Sequence, residues 1–165
     1  MATDPTVRHS VLDRLIGADR RWDGTRARQW GESLEILKKS LLRDLQWLLN
    51  TRQISDLPEE HQTLLEDSVY NYGLPDITLL SADSSETPGR LRRIIEETIE
   101  RFEPRLSDVH VTLAQGQSST DRKVEFLIEA ELRVEPDTER VEFDTVLEVS
   151  SGKFQITSHT AADDD

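Results

Sequence analysis

The chain changes its hydrophobic period at a single proline. Before Pro104, the stretch LRRIIEETIERF places Leu91, Ile94, Ile95, Ile99 and Phe102 at helical spacing, with Thr98 the one small polar residue on the stripe. Arg92, Arg93, Glu96, Glu97, Glu100 and Arg101 fill the other side, so the spacing predicts an amphipathic helix with one apolar face. Pro88 suits the first turn and Thr87 the cap. Pro104 ends the helix, because the residue before a proline is pushed out of the α region. Beyond it the period falls to two: Val109, Val111 and Leu113 alternate with Asp108, His110 and Thr112. Such a switch calls for helices laid on a sheet.

Glu103 and Arg105 flank the proline. An extended Glu103 would put the two side chains on the same side of the chain. Two roles follow. The charges pair with each other or with nearby backbone and lock the corner, or they project from it and dock a partner through charge-assisted bonds.

A second long helix is predicted over Ser33–Arg52. Leu34, Leu37, Leu41, Leu45 and Leu48 form its stripe, widened by Leu42 and Leu49, and Asn50 helps to end it. Glu59–Tyr72 reads as a shorter helix with Leu64, Leu65, Val69 and Tyr72 inward, closed by Gly73, Leu74 and Pro75. Ile77–Leu80 is a short strand or turn. After the loop at 114–122, Val124, Phe126, Ile128, Ala130, Leu132 and Val134 alternate along one strand, and Val141, Phe143, Thr145, Leu147 and Val149 along the next. Phe154 and Ile156 form a last one. The connections are short, so the strands make an antiparallel meander with one apolar and one acidic face. The expected fold is α+β, with three to four helices on one face of a roughly four-stranded, mainly antiparallel sheet.

The domain is expected over 32–158. Residues 1–31 hold a short apolar cluster, SVLDRLI at Ser10–Ile16, then a glycine-containing connector with Trp22 and Trp30. One or two helical turns are not stable alone in water, so that cluster docks on its own domain or on a partner. Residues 159–165 form an acidic tail.

Charge narrows the partners. Residues 1–50 hold nine of the 20 Lys/Arg and seven of the 33 Asp/Glu, leaving 11 and 26 after them, a net of −15. An acidic body repels phosphate backbones and favours basic protein surfaces, or serves solubility alone. No run approaches the ~20 apolar residues of a membrane helix, and MATDPTVRHS lacks the apolar run of a signal peptide. Without cysteine there is no disulfide and no thiolate metal site.

Catalytic signatures are missing. His9, His61, His110 and His159 are isolated, and no nucleophile elbow, dinucleotide fingerprint or phosphate loop occurs. A general acid needs an apolar pocket, and a carboxylate beside an arginine has the opposite surroundings. No metal and no cofactor is expected.

SVLDRL, RDLQWLLNTR (Arg43–Arg52), YGLPD (Tyr72–Asp76) and FEPRL (Phe102–Leu106), with EFLIEAELRVEP and FDT, occur in this order along nearly the whole chain. In these motifs the chain resembles the TssE family, baseplate subunits of the bacterial type VI secretion system. That family belongs with the wedge subunits of contractile phage baseplates and long carried the label lysozyme-like. The resemblance implies a scaffold protein and not an enzyme, cytoplasmic beneath the inner membrane, in a wedge complex with TssF, TssG and TssK. It implies a docking element at Glu103, Pro104 and Arg105, and a connection to the TssB/TssC sheath through shared β-strands. The rival classes are a peptidoglycan hydrolase and a soluble adaptor or chaperone that binds sheath subunits.

Overall fold

A computed structural model describes residues 30–54, 65, 68–77, 87–113, 123–134 and 138–158. Within them the chain runs α1 (Trp30–Asn50), a 3-10 turn (Val69–Asn71), α2 (Thr87–Phe102), β1 (Leu106–Leu113), β2 (Lys123–Arg133), β3 (Thr138–Glu148) and β4 (Lys153–Ser158). The strands pair in sequence order, β1-β2-β3-β4, and every pairing is antiparallel. The class is α+β as expected. The described residues contain two α-helices and one 3-10 turn, fewer than the three to four expected. The Ser10–Ile16 cluster, residues 59–64, 66 and 67 of the expected Glu59–Tyr72 helix, residues 78–80 and the 159–165 tail lie outside them.

Both helices lie on the apolar face of the sheet, α1 against β4 and α2 against β1. The stripes explain this. Leu41, Leu45 and Leu49 of α1, Ile95 and Ile99 of α2, and Ile128, Leu132 and Phe154 of the strands are fully buried in one core. Burying each such side chain contributes about 1.5–3 kcal/mol, which a short helix needs in order to persist. Helix α1 begins at Trp30, ahead of the expected Ser33, and ends at Asn50, short of Arg52. Gly31 is tolerated there because the first turn has no complete set of intrahelical bonds to lose.

Two local expectations are corrected. The spacing predicts Val69 inward on a helix reaching Tyr72, yet it is 90% exposed. The Ser68 side chain accepts the Tyr70 N–H and opens a 3-10 turn, which rotates Val69 off the helical register. Leu113, expected inward at the end of β1, is half-exposed. The inward register of β1 is instead set by a bulge between Ser107 and His110, at Asp108 with φ +52°. The extra residue lets Leu106, Val109 and Val111 all face the core. A short polar side chain tolerates the left-handed conformation.

The opposite sheet face is acidic, as the alternation implied. Glu129 and Glu142 stand directly opposite each other on β2 and β3. Arg140 relieves that repulsion by pairing with both carboxylates.

Candidate functional site at the proline corner

Helix α2 closes with the Glu103 N–H donating to Ile99 O at 2.8 Å. The chain then turns: Leu106 N–H donates to Glu103 O at 3.0 Å, with Pro104 between them. Glu103–Leu106 is therefore a β-turn, with Pro104 and Arg105 at its two central positions. Proline is favoured at the second position of such a turn, where its fixed φ is already right. The turn still brings Glu103 and Arg105 together.

Arg105 grips Glu103 with a two-pronged fork. Nε donates to Oε1 at 2.6 Å and Nη2 to Oε2 at 2.5 Å. The Arg105 backbone N–H also reaches Oε1 at 3.3 Å. Nη2 donates further to Asp44 Oδ2 on α1 at 2.7 Å. Asp44 Oδ1 in turn accepts from Arg43 Nε and Nη2 at 3.0 and 2.7 Å. Two carboxylates and two guanidiniums thus alternate across the joint between the helices, and their formal charges cancel. Glu103 is buried, Arg105 is partly buried and Pro104 is exposed. Arg105 O accepts the Arg133 N–H at 2.8 Å, which ties the corner to the end of β2. Burial disfavours the Arg105 cation, but its hydrogen bonds to Glu103 and Asp44 and their charges outweigh that, and its pKa is raised. Nη1 of Arg105 is buried without a hydrogen-bond partner.

Aromatic rings flank the cluster. Tyr72 meets Phe102 edge-on at 5.4 Å between centroids. Burial, then the Asp44 and Glu103 charges, push the Tyr72 hydroxyl pKa up. The Arg43 guanidinium lies 5.2 Å from the centroid of the exposed Trp47 ring.

The YGLPD stretch braces this region. Leu74 N–H donates to Thr51 O at 2.9 Å and Gln53 N–H to Leu74 O at 2.8 Å, forming a short parallel bridge after α1. Gly73 makes the close approach feasible: its φ is +110°, and a Cβ there would lie 2.5 Å from Thr51 O. A hollow of about 140 Å³ lies nearby, lined by Gln53, Asn71, Pro75, Thr98 and Phe102 among others. It is smaller than the roughly 300–1,000 Å³ of ordinary ligand pockets. Among the described residues no group of three or more His, Asp or Glu is placed to hold a metal ion, and no helix is long and apolar enough to cross a membrane.

The sequence singled out Glu103, Pro104 and Arg105, and the structure brings them together. It missed Asp44, whose one visible sign was its place in the RDLQWLLNTR motif. It also missed that Gln46 and Asn50 of the same motif reach the sheet. Gln46 Nε2 donates to Phe154 O at 2.6 Å and Asn50 Nδ2 to the same oxygen at 3.0 Å. Phe154 N–H donates to Asn50 Oδ1 at 3.0 Å and Ile156 N–H to Gln46 Oε1 at 2.9 Å.

No curated protein matches the chain. A solved structure described as the baseplate complex from the type VI secretion system contains a similar chain. The two share 20% identity with a TM-score of 0.47, over 77% of this chain and 97% of that one. The family model for baseplate wedge protein gp25 matches residues 35–137. That span takes in most of α1, the whole proline corner and the β1–β2 hairpin, more than half of the 165 residues, and the chain therefore belongs to the baseplate wedge protein gp25 family.

Proposed function

We propose that this protein is a structural subunit of a type VI secretion baseplate, of the TssE kind, and that it joins the wedge subunits to the sheath. Its family membership carries the baseplate role. The corner supports the docking role. Glu103 is buried and holds Arg105 in a fork, Asp44 holds it from the other helix, and the exposed Pro104 stands at the tip. A guanidinium fixed in this way loses little conformational freedom when a partner meets its exposed part. Pro104 and Arg105 are the contact residues, and Glu103 is the positioning residue behind them. The partners are TssF, TssG and TssK on the wedge side and the TssB/TssC sheath above. The setting is cytoplasmic, beneath the inner membrane.

Strand sharing with the sheath is assigned to the β1 edge. On β4, both backbone groups of Phe154 and the Ile156 N–H are already bonded to α1. Among the described residues the β1 edge carries one such bond, from Val111 N–H to Glu96 Oε1 at 2.9 Å. No catalysis is assigned, and purified protein is expected to leave a cell-wall suspension turbid.

The deciding experiment is co-purification of wedge subunits with wild type, Pro104→Ala and Arg105→Lys, each first confirmed as folded by circular dichroism. Loss of a docking contact of this kind corresponds to about 2–5 kcal/mol of affinity, so both variants are expected to retain wedge partners poorly. Normal retention by both removes the docking role, and clearing of the cell-wall suspension removes the non-enzymatic reading.

A further inference from the structure

We propose that Gln46 and Asn50 act together as a guard that keeps the outer edge of β4 from pairing with a second copy of this chain. The inference rests on the bonding pattern of α1 against β4 and is independent of the docking role of the corner.

In the antiparallel β3–β4 pair, residues along β4 direct their backbone groups alternately toward β3 and away from it. Phe154 and Ile156 direct theirs away, because α1 side chains are bonded to them. Among the described residues no fifth strand lies on that side. An edge of this kind is a template for another chain.

The two carboxamides reproduce what a strand would offer. Asn50 accepts the Phe154 N–H through Oδ1 and donates to Phe154 O through Nδ2. That is the two-bond exchange by which an antiparallel neighbour holds one residue. Gln46 lies one helical turn earlier, on the same face of α1. It accepts from Ile156 N–H and donates a second bond to Phe154 O. Packing alone does not require this arrangement: Phe154 and Ile156 are already buried in the core through their side chains.

A second copy is the occupant the geometry favours once the guard is gone. Two β4 edges are self-complementary in an antiparallel arrangement about a two-fold axis, and an isologous contact of this kind closes. About a two-fold axis at Gln155, Phe154 would pair with Ile156 of the second copy and Lys153 with its Thr157, and β4 carries no carboxylate, so no like charges are set opposite each other when the edges meet.

The test compares wild type with Gln46→Ala/Asn50→Ala by sedimentation velocity over a concentration series and by amide hydrogen exchange. The double variant is expected to exchange the Phe154 and Ile156 amides at least tenfold faster at low concentration, with Gln155 and Thr157 unchanged. Its self-association constant is expected to rise at least tenfold. Unchanged protection of Phe154 and Ile156 overturns the bonding role, and a freely exchanging edge that stays monomeric overturns the guard. Should the double variant fail to fold, Gln46→Glu and Asn50→Asp keep each acceptor oxygen and replace each donor by a carboxylate oxygen facing Phe154 O. Raised self-association in both supports the guard, and monomeric, fully protected proteins overturn it.

Discussion

Arg105 and Asp44 are 61 residues apart in the chain and 2.7 Å apart in space. This ion pair joins the middle of α1 to the turn that follows α2, and Glu103 completes it from the same turn. Truncating Arg105 strands a buried carboxylate, whereas truncating Glu103 leaves the guanidinium with Asp44. Arg105→Ala is therefore expected to lower unfolding free energy by about 2–3 kcal/mol. Arg105→Lys keeps the charge and loses the fork, for about 1 kcal/mol. Urea denaturation measures both, and an alanine variant within about 0.5 kcal/mol of wild type would show that the cluster has no structural weight.

Two glycines separate strain against backbone from strain against a movable side chain. Alanine at Gly73 meets the Thr51 carbonyl and a positive φ together, so Gly73→Ala is expected to destabilise by at least about 2 kcal/mol. Alanine at Gly152, with φ +64°, meets only the end of the Arg52 side chain. That end can move, giving up its 2.9 Å bond to Gly152 O. A loss of about 1 kcal/mol is expected there. Equal losses in thermal or urea unfolding would contradict this distinction.

Thr145 is buried in β3, between Phe126 and Ile156 on the neighbouring strands, and its hydroxyl has no hydrogen-bond partner. Valine has the same branched shape without the hydroxyl. Thr145→Val is expected to stabilise the fold by about 1 kcal/mol, raising Tm by a few degrees in calorimetry. A lower Tm would mean that the hydroxyl is satisfied in solution.

His110 is fully exposed on the acidic face of the sheet, with its Nδ1 3.1 Å from Asp108 O. That hydrogen bond, then the Asp108 charge, raises its pKa above the ordinary 6.5; desolvation opposes them, and Glu96 and Glu129 add smaller contributions. A raised folded-state pKa stabilises the fold below the unfolded value, and this contribution disappears as pH rises through the folded value. An NMR titration of the His110 ring is expected to show a midpoint above 6.5. Asp108→Asn, which suits the same left-handed backbone, is expected to lower it. An unchanged midpoint would rule out the Asp108 charge as a cause.

The sheet was legible in the sequence because alternation is a local signal. Phe126, Ile128, Ala130 and Leu132 fall on the core side as their spacing required, and so do the leucines of α1. The corner was legible because proline restricts its neighbours. The bulge was not, since Asp108 looks like an ordinary outward residue until the strand is paired. Val69 failed because the Ser68 cap changed the helical register ahead of it. Asp44, Gln46 and Asn50 were hidden for a different reason. Each is a polar residue beside a leucine stripe, and its partner lies so far along the chain that no periodicity reports it.

The order of assembly follows from where the partners of α1 lie. Each hairpin of the sheet links consecutive strands, so the sheet can zip from local contacts. Asn50 and Gln46, by contrast, find their backbone partners 104 to 110 residues later. On a ribosome, the leucine face of α1 emerges well before the final strand exists to receive it. During that interval the nascent chain shows an apolar helix face to solvent, and holding factors have their opportunity there.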